Sequence, residues 1–353
     1  MEKTKARNKA FSLFGMFISL LLVFLTVLTM GGLFRVFNLA AAYEKANPDR
    51  FLNEIISCVK EDNWQKLIDL SHAKLSPFEN AEHVKSSFAN IKKDELKAKR
   101  KKGVEFEYII TDGINTLGTV VFKEGRGEAK TPFKPLELSS FELNLKYAYG
   151  CEAELPENSV LKINGIVPEE KGVKGETVTD RSVGTSDKSP YVLKKTIYKI
   201  EGLCAKPTVT AERDKKPLLA EIKGKNFSFY GEVKGETLKK CQESAEAAAK
   251  AYANYISNDL KFDEIKGYFL PNTDTYSNLQ TFYNGWYIPH DSFTFENMKI
   301  SDPRELSGDF LSCDVSFNYV VTKGFRRHEY PSDYHIVIAC TPHGYLVSSL
   351  TVN

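Results

Sequence analysis

No two of the six cysteines in this 353-residue chain stand in a C-x-x-C pair. That absence excludes the common zinc-ribbon and thioredoxin-like spacings. H-E-x-x-H, G-x-S-x-G and P-loop motifs are missing as well, so zinc-protease, serine-hydrolase and nucleotide-triphosphate chemistries have no footing, and neither cofactor nor catalytic residue is expected. Histidines are few, and His72, His83, His290 and His343 are isolated. His328, Glu329, Asp333 and His335 fall close together around an expected hairpin, but His335 takes the strand face opposite Ile336 and Ile338, so a solvated cluster is expected there and no metal site.

Charge is absent from Ala10 to Phe34, and this gap decides the topology. As a helix the run FSLFGMFISLLLVFLTVLTMGGLF rises about 37 Å, enough to cross a hydrocarbon core of about 30 Å. A cleavable signal peptide would have an apolar region of only about 7 to 15 residues, so despite the small residues Ala40, Ala41 and Ala42 the segment 11–34 is read as an uncleaved anchor. Lys3, Lys5, Arg7 and Lys9 precede it against one acid, Glu2. The positive-inside rule then places a cytoplasmic tail at 1–10 and the bulk of the chain outside the cell membrane.

The whole chain carries +2, but residues 36–353 hold 43 basic and 45 acidic side chains, net −2. Such a balance gives no general steering toward an anionic polymer, and nucleic acid is not expected as a partner. The local exception is Lys92, Lys93, Lys97, Lys99, Arg100, Lys101 and Lys102. This run reads either as the solvated end of a surface helix or as a contact for an anionic envelope polymer or lipid headgroups.

Helical signals come first in the exterior portion. Asn47 and Pro48 cap an amphipathic segment with Phe51, Leu52, Ile55, Ile56 and Val59, and a second begins at Trp64 with Leu67, Ile68 and Leu70. A third, polar helix is expected over 81–102. Strands follow at 104–111, 119–123 and 137–154, which gives an α+β domain over 39–150. Residues 151–234 read as strand and turn, a β-rich spacer in which Asn164-Gly165 suits a type I′ hairpin and 168–190 a long polar loop. The order then recurs over 235–353: a helix at 238–260, an aromatic stretch, and strands to Val352. The text IISCVKEDNWQKLIDL against YISNDLKFDEIKGYF marks a diverged internal repeat.

In the last segment Leu311, Cys313, Val315, Phe317 and Tyr319 alternate with polar residues, and Tyr334, Ile336, Ile338 and Cys340 share a face of the next strand. A hairpin with its loop near 325–332 would bring Cys313 near Cys340, as a disulfide or as two buried thiols. Tyr283, Trp286 and Tyr287 flank Asn284-Gly285 and read either as an aromatic ligand contact for a peptide or glycan or as a lid closing the core.

Helices with an aromatic at Trp64 or Phe262, followed by a curved antiparallel sheet, resemble the NTF2-like fold over 39–150 and 235–353. With the anchor and the LKING hairpin at Leu161–Gly165, the arrangement resembles membrane-anchored envelope proteins of Gram-positive bacteria, among them the teicoplanin-resistance-associated membrane protein family. It is also similar to conjugation and secretion-channel scaffolds that carry a membrane helix before NTF2-like domains. These resemblances imply a non-catalytic binding or scaffold protein of the cell envelope, with wall polymer or another membrane protein as partner, or a structural subunit of a channel. Some NTF2-like relatives are isomerases or dehydratases acting on a small apolar ligand, which requires an inward ionisable residue. The inward positions read above are Leu, Cys, Val, Phe, Tyr and Ile.

Overall fold

The computed structural model describes residues 2–125, 133–185, 189–282 and 289–353, with side chains from residue 15 onward. The fold is mixed α+β, with an N-terminal apolar helix and curled sheets. Two compact units form, Met1–Leu75 with Glu79–Lys146, and Ser76–Phe78 with Tyr147–Asn353. The expected segments 151–234 and 235–353 both fall in the second.

Helix α1 (Glu2–Ala46) is continuous through Ala40–Ala42, and its side chains from 15 to 38 are exposed. The hydroxyls of Ser19, Thr26 and Thr29 donate to the carbonyls of Gly15, Leu22 and Leu25 at 2.9, 2.7 and 2.9 Å. Each described hydroxyl of the apolar run is thereby satisfied within the helix, as a lipid environment requires. Among the described residues this is the one helix long and apolar enough to span a membrane.

Helix α2 (Asp49–Lys60) starts where expected, with Asn47 Oδ1 accepting the Asp49 N–H at 2.9 Å, and buries Leu52, Ile55, Cys58 and Val59. Asp62, at φ +58°, turns the chain into α3 (Trp64–Ser71), whose Trp64 ring stacks on Phe88 at 5.8 Å. Helix α4 is only Ala81–Ser87, not the expected 81–102. Ser86 and Ser87 bond back to the carbonyls of His83 and Val84, competing with the helical ladder, and the chain leaves it at Phe88. The basic run therefore crosses a 3-10 turn into strand β1 (Lys97–Arg100). With β2 (Glu107–Thr111), β3 (Thr116–Glu124) and β4 (Leu136–Leu143) it forms an antiparallel four-stranded meander.

The second unit opens with β5 (Tyr149–Pro156), so the strand expected over 137–154 is two strands in different sheets. Next come β6 (Val160–Ile163), β7 (Glu176–Thr179), β8 (Lys194–Leu203), β9 (Val209–Arg213), β10 (Lys216–Pro217), β11 (Leu219–Lys223) and β12 (Asn226–Glu232). Asn164 and Gly165 sit at φ +51° and +82°, the two left-handed residues of the expected type I′ turn. The expected polar loop at 168–190 contains β7 and two 3-10 turns. Strands β5, β8 and β12 pack Ala153, Leu155, Ile200 and Phe227 against Leu161, Ile163 and Ala211 of the β6–β9–β10 sheet.

Helix α5 (Gly235–Ile256) buries Cys241 and the small residues Ala245, Ala248, Ala249, Ala251 and Ala253. Short helices α6 (Phe262–Ile265) and α7 (Asp274–Thr281) lead to four long strands, β13 (Ser292–Ser307), β14 (Phe310–Lys323), β15 (Arg326–Thr341) and β16 (Gly344–Val352). Strand β13 carries three register breaks against β14, with Asn297 and Asp302 at positive φ, and such bulges curl a sheet. The inner face reads Leu311, Cys313, Val315, Phe317 and Tyr319, as the alternation indicated. One sheet runs β16-β15-β14-β13-β12-β5-β8-β7, joining both segments of the unit, with β11 paired to β12.

The β14–β15 turn falls at Gly324, φ +56°, and Phe325, two residues where a loop over 325–332 would take eight. This shifts the register, so Ile336 lies opposite Cys313. Cys340 stands four residues along β15, about 13 Å away at the strand rise, beyond the roughly 7 Å Cα separation that a disulfide spans. The Cys313 thiol instead bonds to the thiol of Cys241 on α5, and that bond together with burial pushes it well above the ordinary thiol range. All six cysteines are free thiols.

Candidate functional site

The C-terminus of α5 gathers polar side chains against the sheet, with Ser257 and Tyr319 buried and Asp259 reaching solvent. Asn258 adopts φ +67°, the Asp259 N–H reaches back to the Asn254 carbonyl at 2.8 Å, and the Asn258 N–H reaches that of Tyr255 at 3.1 Å. This left-handed cap turns the Asp259 carboxylate toward the inner face of the sheet. There the Tyr319 hydroxyl donates to Asp259 Oδ2 at 2.9 Å and lies 2.8 Å from Ser257 Oγ, which also reaches the Ala253 carbonyl at 2.6 Å. His290 Nε2 stands 3.2 Å from Asp259 Oδ1. The His290 side chain is 4% exposed and that of Asp259 26%.

Aromatic rings wall this group. Phe293 and Phe295 lie 5.7 and 5.3 Å from the Tyr319 ring, and Phe293 meets His290 edge-on at 6.2 Å. Burial foremost, with the Asp259 charge behind it, drives the Tyr319 hydroxyl well above the ordinary phenol range, while Ser257 opposes the shift. Tyr319 thus stays protonated at neutral pH and serves as a fixed donor. One Asp259 oxygen accepts from Tyr319, and His290 Nε2 stands 3.2 Å from the other. The group locks the end of α5 to β14.

This cluster includes ionisable groups that the sequence reading left out. His290 stands isolated in the sequence, and Tyr319 falls among the inward apolar positions, although a buried phenol needs a partner. The signal that points to the site is that unmet hydroxyl together with Asn258-Asp259 at a helix end. Tyr283, Trp286 and Tyr287 lie outside the described residues. His335 pairs across strands with Asp314 at 2.7 Å, and Arg327 pairs across strands with Glu296 at 2.8 Å and along β15 with Glu329. Among the described residues no group of three or more candidate ligands gathers to hold a metal.

The basic run divides in two. Lys92 pairs with Glu95 at 3.0 Å, Lys93 with Asp62 at 2.5 Å and Lys101 with Glu107 at 2.6 Å. Lys97, Lys99, Arg100 and Lys102 are exposed on and beside β1, without an ion-pair partner among the described residues. Lys93 and Lys85 also rim a cleft of about 340 Å³ floored by Val59, Trp64, Phe88 and Ile91. Asp62 ties this rim together, accepting from Lys93 and from Trp64 Nε1 at 3.2 Å, and the Lys93 bond foremost lowers its carboxyl to about 2. Close by, the carboxylate of Asp112 accepts the backbone N–H groups of Lys92, Ile114 and Asn115 at 3.0, 2.8 and 2.6 Å. Those bonds, Lys92 first, hold its carboxyl far below the usual carboxylate range.

Among known proteins, no family profile matches the sequence and no curated protein matches it significantly. A solved structure described as "Ntf2 like protein involved in plasmid conjugation" aligns over 84% of this chain and 97% of its own, at 12% identity and a TM-score of 0.26. A superposition that loose carries no argument about shared function.

Proposed function

We propose that the chain is a single-pass, membrane-anchored scaffold of the cell envelope, its N-terminus cytoplasmic and the residues beyond the anchor displayed outside, acting by binding and without catalysis. The observation that carries the reading is α1: a charge-free apolar stretch, exposed from residue 15 to 34, with its described hydroxyls satisfied internally. No such surface persists in water without a partner, and a bilayer is the partner its length fits. In this reading 235–353 is an NTF2-like module, supported by a long helix packed on a curled sheet, and 39–150 is a second one. Binding is favoured over acid–base catalysis because the Tyr319 hydroxyl is already bonded to the Asp259 carboxylate. The exposed Lys97, Lys99, Arg100 and Lys102 supply cationic contacts for an envelope partner.

The test uses the full-length protein in a bacterial host. It should fractionate with membranes, resist carbonate extraction, and be digested by protease added to osmotically opened but unlysed cells. Release of a soluble form cut near Ala40–Ala42, or protection of the bulk until lysis, would overturn the topology. Turnover of a small molecule that disappears in Asp259→Asn would overturn the non-catalytic reading. Recovery in defined multi-component membrane complexes, with no wall-associated fraction, would identify the scaffold as a channel subunit.

A further inference from the structure

The four-stranded sheet of the first unit carries opposite charges on its two edges, and among the described residues no further strand pairs with either edge. Lys97 pairs in register with Thr111, and Lys99 with Ile109. Ile109 continues to Thr119, and Thr119 to Glu142. One row across the outer face of the sheet therefore begins at Lys99 and ends at Glu142. The opposite face carries Ile110, Val120 and Phe141, all buried.

A bulge aligns the acidic edge. The β3–β4 register breaks between Val121 and Phe122, skipping Ser139, so Glu137 pairs with Lys123 while Glu142 pairs with Thr119. Five positions apart in sequence, the two glutamates thus share the outer face with an effective spacing of four residues, about 13 Å. Lys97 and Lys101 have the same spacing on the same face of the basic edge. Strand polarity matches as well. In an all-antiparallel sheet of four strands the edge strands run in opposite directions, so β1 of a second copy laid against β4 meets it antiparallel and continues the meander.

We infer that this unit self-associates head to tail by strand addition, β1 of one copy pairing with β4 of the next. The register places Lys97 opposite Glu142, Lys99 opposite Ser140, and Lys101 opposite Glu137. Among the described residues no backbone hydrogen bond reaches the outer side of β1, and β4 has only the local bond from Leu145 N–H to the Leu143 carbonyl. Edges bearing one sign of charge repel their copies, which is how sheets commonly guard against pairing. Here the signs differ, and the guard becomes an attraction. The contact uses two different surfaces, so it closes a ring or extends an array instead of stopping at a two-fold dimer. The inference does not depend on where the units lie relative to the membrane.

The experiment compares full-length protein in detergent by sedimentation velocity across concentration. The variants Lys97→Glu/Lys99→Glu and Glu137→Lys/Glu142→Lys should each weaken association by roughly tenfold or more, since cross-strand attractions become repulsions. Mixed in equal amounts, the two variants should associate again, because each basic edge now finds an acidic one on the other protein. Restoration in the mixture also shows that both variants are folded. A maleimide cross-link between Lys99→Cys on one copy and Ser140→Cys on another, absent with either cysteine alone, fixes the register. A wild type that stays monomeric at every concentration, or association that survives both reversals, would overturn the inference, as would a mixture that fails to associate.

Discussion

The strands of the first unit run four to nine residues, whereas β13 to β16 run nine to sixteen. The short sheet takes much of its local order from side chains bonded to backbone: Asp112 alone accepts three N–H groups, and Asn115 donates to the Asn90 carbonyl at 3.0 Å. The long sheet depends on apolar volume, with alanines of α5 letting the helix lie close over Val315, Phe317 and Ile336. Two routes to a folded sheet thus coexist in one chain, and they should fail under different insults.

Removing volume should hurt the long sheet most. Phe317, buried and 5.4 Å from both Phe295 and Tyr334, should lose about 3 to 5 kcal/mol of stability as Phe317→Ala. Hydrogen exchange should show the loss in β13–β16 and leave β1–β4 protected; equal loss in both would break the contrast. Tyr319→Phe should cost about 1 to 3 kcal/mol, since a partner is stripped from the Asp259 carboxylate while the ring packing stays. Denaturant unfolding monitored by far-UV circular dichroism measures it.

Acid should act in the reverse order. Asp62 titrates at about 2, below its unfolded value of about 3.9, and Asp112 lies lower still. A lowered carboxylate contributes its full stabilisation above the unfolded value and loses it as pH falls toward the folded one. The first unit should therefore lose exchange protection between about pH 4 and pH 2. In Asp112→Asn that acid-dependent loss should shrink, and an unchanged pH profile would remove Asp112 from the account. The smallest effect belongs to Ile114, 81% exposed in the β2–β3 turn: Ile114→Ser should shift stability by less than about 0.5 kcal/mol.

What could be read in advance follows the same divide. Apolar alternation marked the inner faces of β14 and β15 because burial there repeats every second residue, and Asn47 and Asn164-Gly165 marked a helix start and a turn through local backbone chemistry. The basic run misled, because lysines tolerate a surface helix and an exposed edge strand equally, and the residues that end α4 are two serines whose hydroxyls merely compete with the helix. The polar cluster stayed hidden since Ser257, Asp259, His290 and Tyr319 converge only when α5, the start of β13 and β14 come together. The β14–β15 register was missed by a turn, as the hairpin closes on Gly324-Phe325 with no Asn-Gly signal.

The parallel pairing of β12 with β5 sets a timetable for synthesis. Asn226 meets Glu152, and Glu232 meets Arg304, across separations of more than seventy residues. The meander β1–β4, by contrast, is complete once residue 143 has emerged. A chain growing from its N-terminus can therefore finish its first sheet early, while β5 and β8 wait with one edge unsatisfied until β12 arrives. A ribosome stalled within that interval would present the quality-control machinery with one finished unit and one sticky half-built sheet.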